Sequence, residues 1–318
     1  MTVQITHRAE RYRAQHSEQV RHSVWQTLGK PARWNDRGAH RLQSVKRRCR
    51  VEITRPTNLA DALEARALDP GADLLAGGTD LMVEVNFGHA RPEHVIALRR
   101  IDEVADLADR RIGSGVTWAR LEKSEHRALA QLARTVGSPQ IRAAGTIGGN
   151  IGTSSPAGDG LPWLAAVEAE IEVASKARGT RRVPWSEFFT GVKRNALEPD
   201  EVIVAAVLPD DVPANQQFAK IGQRSAMVIS TVSACVVRAD DGTVRVALGS
   251  VAPTPVRAHR AEALIAENPQ PSESVLEEFA RTVSAEVSPI TDHRSTESYR
   301  RHAAGVLARR LLERCLAS

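Results

Sequence analysis

The chain is short of cysteine: Cys49, Cys235 and Cys315 are the only three in 318 residues. They are odd in number, far apart, and none belongs to a C-x-x-C pair. This argues against a disulfide framework and against a zinc or iron–sulfur site built from this chain alone. The expectation is three free thiols, with Cys315 on the apolar stripe of a helix. Metal spacing is also missing from the ten histidines. None stands as H-x-x-x-H on a helix, and His94, His259, His293 and His302 read as surface or capping residues. No nucleophile–base pair stands out. No apolar run approaches the length of a membrane span. The first residues lack the apolar core of a secretory signal, so the default expectation is a cytoplasmic protein. There is neither a G-x-G-x-x-G after a strand nor a G-x-x-x-x-G-K-[ST], so Rossmann and P-loop readings lack support.

Acidic residues are scarce only at the start. Residues 1–50 hold 12 Lys/Arg against 3 Asp/Glu, whereas the remainder holds 31 against 35. The overall charge of +5 is therefore the property of an N-terminal arm. Such an arm, with Trp25 and Trp34 available to stack, could meet nucleic acid or an acidic partner. The blander expectation is a solvated, partly disordered extension with a short polar helix from Arg8 to Gln26. A hydrophobic content of 42% suits a globular protein with two or three compact units. No internal repeat is visible.

What the chain does have is two Gly-Gly pairs, each following an apolar stretch and each beside small polar residues. One is Leu74-Leu75-Ala76-Gly77-Gly78-Thr79-Asp80-Leu81, and the other is Thr146-Ile147-Gly148-Gly149-Asn150. Backbone without a Cβ approaches a ligand closely and takes φ > 0 without strain. Successive free N–H groups in such a turn make a concave anion site. Two of them could hold both phosphates of a dinucleotide. The plain alternative for each is an ordinary tight turn.

From Val51 onward the pattern alternates short strands and helices. Strands are expected at Val51–Thr54, Asp73–Ala76, His94–Ala97, Arg111–Gly113, Ala169–Ala174, Thr180–Pro184 and Val202–Leu208. Helices are expected at Leu59–Leu68, Trp118–Ser124, Ala128–Val136 and Pro162–Val167. Leu81–Asn86 reads as a short apolar segment, and Gly145–Asn150 as the second glycine turn. Near Pro209–Asn215 the composition shifts to Pro, Asp and Asn, a plausible boundary. Beyond it Ser230–Arg238 and Thr243–Val251 flank Asp241-Gly242, a hairpin signal. Ser274-Val275-Leu276-Glu277 resembles a capping box opening a helix to about Ala285. Glu297–Leu316 carries Tyr299, Ala303, Val306, Leu311 and Cys315 on one side, as an amphipathic helix would.

The glycine segments resemble the paired FAD pyrophosphate loops of the molybdenum hydroxylase flavoproteins, the medium subunits of xanthine dehydrogenase and aerobic carbon monoxide dehydrogenase. The resemblance runs from about Val51 to the C-terminus. It is carried also by Arg55-Pro56-Thr57 with Leu59 and Ala62, Arg91-Pro92-Glu93-His94-Val95 and Ile112-Gly113-Ser114-Gly115-Val116-Thr117. Further along it includes Ser154-Ser155-Pro156-Ala157-Gly158-Asp159, Asn195-Ala196-Leu197-Glu198-Pro199-Asp200-Glu201 and Phe218-Ala219-Lys220-Ile221-Gly222. It implies an α+β fold: a two-part FAD-binding domain of the PCMH type over 51–212, then a small α+β domain over 213–318, with 1–50 as the basic extension. It also implies an oxidoreductase subunit with FAD as cofactor. Its partners would be a molybdopterin-binding large subunit and a small subunit carrying two [2Fe–2S] clusters. Electrons would leave the flavin for NAD or another acceptor. The Ser288–Arg294 segment and Tyr299-Arg300-Arg301-His302 look closer to the xanthine dehydrogenase branch.

The expected roles follow from this. The amides of Gly77, Gly78, Gly148 and Gly149 would take the pyrophosphate, with hydroxyls from Thr79 and Thr146. Asn150 would bind near the phosphates or ribose; its alternative is a left-handed turn residue. Asp159 would accept a ribose hydroxyl, or else serve as an Asx-turn residue. Thr153 and Ser154 belong to the same region. Lys220 would stand near the flavin N1/C2=O edge and stabilise its anionic reduced form; the alternative is a surface lysine on a strand. Arg224 is a similar candidate. Asp80 would orient the first loop through backbone N–H groups. Leu74, Leu75 and Leu81 would pack near the cofactor, and Ala76 and Ile147 are cofactor-binding candidates as members of the two loops. Three other readings stay open: a self-contained FAD oxidase on the same fold, a nucleic-acid-binding protein using its basic arm, and a degenerate, flavin-free scaffold.

Overall fold

The computed structural model describes residues 51–318. The basic arm, its expected helix and Cys49 lie outside the described residues.

The first layer is a three-stranded parallel sheet, Glu52–Thr54, His94–Ala97 and Asp73–Leu75, with His94–Ala97 in the middle. Parallel neighbours need crossovers. The Leu59–Leu68 helix supplies one, opened by the Asn58 side chain, which accepts from Asp61 N–H at 2.8 Å. Its Ala62 is fully buried against Ile96 and Ile101 in a small core shared with Val202 and Val204.

Val202 and Val204 come from the second layer, a five-stranded antiparallel sheet. Its order is Leu107–Ala108, Arg111–Gly113, Val202–Val207, Glu170–Ser175 and Gly179–Pro184. The run Val-Ile-Val-Ala-Ala-Val is apolar throughout because both of its faces are covered. Val202 and Val204 face the first core, while Ile203 and Ala206 face the large central one, with an irregular register between Ile203 and Ala205. The central core also takes Trp118, Leu129, Ile147, Ile151 and Trp163 from the helices that pack on this sheet.

The third layer is an antiparallel sheet of Asn215–Ile221, Val232–Arg238, Val244–Gly249 and Val256–Arg257. Helices His259–Glu267 and Glu297–Leu316 cover the face that carries Val232, Ala234 and Val236, and Glu273–Glu286 packs on both helices. The other face gives Cys235, Val237, Ala247 and Phe218 to the central core.

Several expectations need correction. The second glycine segment is no turn: Thr146 caps a helix, Ile147–Thr153. Leu81–Asn86 is also helical. The Pro209–Asn215 stretch read as a boundary runs directly into a strand, Asn215–Ile221, whose glutamines are buried and bonded: Trp163 Nε1 donates to Gln216 Oε1 at 3.1 Å. The helix near Ser274 begins two residues earlier, with Ser272 as its cap. In Glu297–Leu316, Tyr299 is half exposed whereas Arg300 is buried. Arg300 donates to Thr231 O, Ser250 O and Asp292 Oδ1 at 2.7–2.9 Å, which compensates for burying the charge.

Candidate cofactor site

The Asp73–Leu75 strand ends at a cleft of about 900 Å³, within the range of small-molecule pockets. Every residue expected at the site lines this cleft except Ile147, Ser154 and Arg224. Ile147 turns into the central core and is fully buried.

The first glycine segment leaves the carboxyl end of a parallel strand, where open α/β layers commonly place ligands. Gly78 has φ +71, a value that suits glycine. The amides of Gly77, Gly78, Thr79 and Asp80 donate to no acceptor among the described residues. This is a run of four free donors on one short loop, as an anion nest requires. Gly77 has a different task. A Cβ there would lie 2.0 Å from Ala144 O, so its absence lets the first loop close onto the approach to the second segment.

The second segment differs. Thr146 Oγ1 accepts from Gly149 N–H at 3.0 Å, Gly148 N–H donates to Ser114 O at 2.9 Å, and Ile147 N–H donates to Val116 O at 3.0 Å. The amides expected to serve a pyrophosphate here already have protein acceptors. The two glycines matter through the side chains they lack. At Gly148 a Cβ would sit 2.4 Å from Ser114 Cβ. At Gly149 it would meet Thr146 Oγ1 at 3.3 Å and otherwise open space. Gly149 therefore leaves room on the cleft side that any side chain would fill.

The polar residues tie the walls together. Asp80 makes no cap bond to the backbone, contrary to expectation. Its Oδ2 accepts from Thr153 Oγ1 at 3.2 Å, joining the two segments. Asn150 is helical rather than left-handed; the left-handed residue is Ser154, at φ 48. Asn150 Oδ1 accepts from Gly160 N–H at 3.2 Å, which pins the Ser154–Asp159 loop. Asp159 and Lys220 meet at 2.6 Å, both side chains only 8% exposed. Burial pushes the Asp159 carboxyl upward, and the Lys220 charge and hydrogen bond oppose that. Ser230 Oγ donates to the other carboxylate oxygen. Lys220 is thus no surface lysine, and its ammonium also donates to Thr135 O at 3.0 Å and Val228 O at 3.1 Å.

Sequence reasoning left out several wall residues. Ser114 and Thr117 lie in the Ile112–Thr117 segment, where the glycines on both sides of Ser114 are the signal that could have found them. Ile141, Leu197, Val228 and Ile229 line the cleft as well, but nothing in their spacing could have pointed there. Arg224, weighed as a second cation near the flavin, instead donates to Met227 O within its own loop. Among the described residues no cluster of His, Cys, Asp or Glu could hold a metal ion. No helix there is long and apolar enough to cross a membrane. Cys235 and Cys315 are buried and free, and burial pushes both thiols up, Cys315 to about 11.

A cleft with a free-amide loop on one wall and a Cβ-free helix start on the other defines a dinucleotide-binding protein outside the Rossmann and P-loop classes. Comparison with known proteins says which. Residues 48–211 match the family of FAD binding domains in molybdopterin dehydrogenase, and residues 217–315 match the CO dehydrogenase flavoprotein C-terminal domain. The xanthine dehydrogenase FAD-binding subunit of Escherichia coli O157:H7 is 32% identical over 280 residues, covering 83% of this chain and 95% of that protein. The carbon monoxide dehydrogenase medium chain of Hydrogenophaga pseudoflava is 29% identical, with 83% and 96% covered. A solved structure of carbon monoxide dehydrogenase from the same organism superposes with a TM-score of 0.78 at 30% identity, covering 84% of this chain and 98% of its own. The chain belongs to the FAD-binding subunits of the molybdenum hydroxylase family, and it is an oxidoreductase subunit whose cofactor is FAD.

Proposed function

We propose that this chain is the electron relay of a larger complex. FAD would receive electrons from [2Fe–2S] clusters on a small partner, themselves reduced by a molybdopterin-binding large subunit, and deliver them to NAD or another acceptor. In this reading the FAD-binding part spans 51–212, and the C-terminal part, 213–318, closes the cleft with Lys220, Val228 and Ile229. The Gly77–Asp80 amides bind the pyrophosphate, Gly149 leaves room for its close approach, and Thr79 and Thr146 flank it. Leu74, Leu75 and Leu81 exclude water. The bound flavin supplies the redox chemistry; the protein supplies placement and a dry surrounding.

The observation that carries this reading is the row of four amides, without an acceptor among the described residues, at the mouth of a parallel strand. The lining of the cleft favours a relay over a self-contained oxidase. Its titratable groups are Arg66, Asp73, Asp80, Glu84, Arg99, Asp159 and Lys220, with no histidine or tyrosine placed to take a substrate proton. The test is the visible spectrum of the purified full chain. Flavin absorption, or uptake of added FAD, is expected. A chain that neither carries nor takes up flavin overturns the proposal. Co-purification with iron–sulfur and molybdenum subunits tests the relay itself.

A further inference from the structure

Residues 222–231 leave the C-terminal sheet between strands Asn215–Ile221 and Val232–Arg238 and form part of the cleft wall. Their backbone support is thin. Thr231 N–H donates to Ile221 O at 2.7 Å and closes the base. Among the described residues no other backbone–backbone bond holds 222–230. The segment folds over itself at Gly222, where a Cβ would lie 2.3 Å from Val228 Cγ1. Val228 and Ile229 line the cleft, yet Met227 and Ile229 remain half exposed. Apolar residues on a weakly bonded loop need an anchor to hold one position.

The anchor is a buried pair made across the two parts of the chain, Lys220 from the C-terminal sheet and Asp159 from the FAD-binding part. Lys220 Nζ reaches Asp159 Oδ2 at 2.6 Å, Thr135 O at 3.0 Å and Val228 O at 3.1 Å. An ammonium has three N–H donors, so all three are used. Asp159 takes Lys220 on one oxygen and Ser230 Oγ on the other. Two residues of the segment, Val228 and Ser230, are thereby tied to one buried pair, whose charges cancel locally.

We propose that Asp159 and Lys220 are positioning residues. They hang the 222–231 segment against the cleft, and Lys220 is not the charge partner of the flavin. This rests on reading the cleft as the FAD site. Val228 and Ile229 are the groups so placed, and they present an apolar wall to the bound cofactor.

The test uses the full chain with Lys220→Met, Asp159→Asn, the double variant and Ser230→Ala. Hydrogen–deuterium exchange of residues 222–231 is followed with and without FAD, together with the flavin midpoint potential. Lys220→Met should speed exchange in this segment about tenfold, and the double variant should add little to that, because one device is broken either way. Ser230→Ala, the mildest change, should speed it about threefold by removing one of the two ties to the buried pair, while Gln223 Nε2 still donates to Arg294 O at 3.0 Å at the far end of the segment. The potential of the double variant should match wild type, since a neutral pair has been replaced by neutral groups. Unchanged exchange in every variant overturns the proposal. So does a double variant whose potential falls as far as that of Lys220→Met, which would make Lys220 a direct partner of the flavin. Exchange in the FAD-free chain decides the anchoring even if the wild-type chain binds no flavin, so failure of the FAD reading remains distinguishable.

Discussion

Gly77-Gly78 and Gly148-Gly149 are spelled alike and do different work. The first pair sits on a loop after a parallel strand, with a left-handed Gly78 and four amides that have no acceptor among the described residues. The second pair opens a helix, and its amides donate to Ser114 O and Thr146 Oγ1. One wall of the cleft offers donors; the other offers room. A Gly-Gly pair in a sequence therefore does not say whether its N–H groups are free. That depends on which carbonyls the fold brings alongside, and those lie tens of residues away.

Substitutions can break the comparison apart. The largest effect is expected at Gly77→Ala. Its Cβ would run into Ala144 O, a backbone atom that cannot swing away. A loss of about 3 kcal/mol in chemical denaturation is expected, at the upper end of overpacking costs, together with loss of FAD. A variant as stable as wild type would show that the two segments do not need this close approach. Gly148→Ala meets Ser114 in the same way, and about 2 kcal/mol of stability should go with it. Gly149→Val separates room from fold. Its denaturation midpoint should shift by about 1 kcal/mol or less, because only Thr146 Oγ1 is near. FAD affinity, measured by flavin fluorescence titration, should fall about a hundredfold, as expected when a side chain fills bound-ligand space. Normal retention would refute the placement of the cofactor against this helix. Thr146→Ala removes a helix cap and should cost about 1 kcal/mol. If the second segment works by space, FAD affinity in that variant should change less than tenfold. The smallest effect belongs to Thr153→Ala, which removes only the exposed bond to Asp80; about 0.5 kcal/mol is expected.

Much of this was legible beforehand, and the failures share a cause. Leu59–Leu68 and Glu297–Leu316 could be read from their caps and periodicity because helix signals are local. The Asn215–Ile221 strand could not. Asn-Gln-Gln looks like loop composition until Trp163, Gln131 and the Pro213 carbonyl arrive to satisfy the buried amides. Arg300 is missing from the apolar side read for its helix for the same reason, since its three acceptors come from other elements. The two glycine segments, Asp159 and Lys220 were readable as cleft wall, whereas Ile141, Leu197, Val228 and Ile229 were not, since apolar residues there look like any core residue. The partners of those residues were not: Asp159 and Lys220 are 61 positions apart, and each alone looks like a candidate ligand. Paired and buried, they become part of the frame.

The Val232–Arg238 strand shows what such framing means for the chain as a whole. Its odd and even side chains enter two different cores, Cys235 and Val237 in one and Val232, Ala234 and Val236 in the other. A gene fragment ending near residue 212 would thus encode a half whose main core has lost a wall, leaving an apolar face open to aggregation. The natural unit for expression, and for exchange between related proteins, is the whole span from the first parallel strand to the last helix.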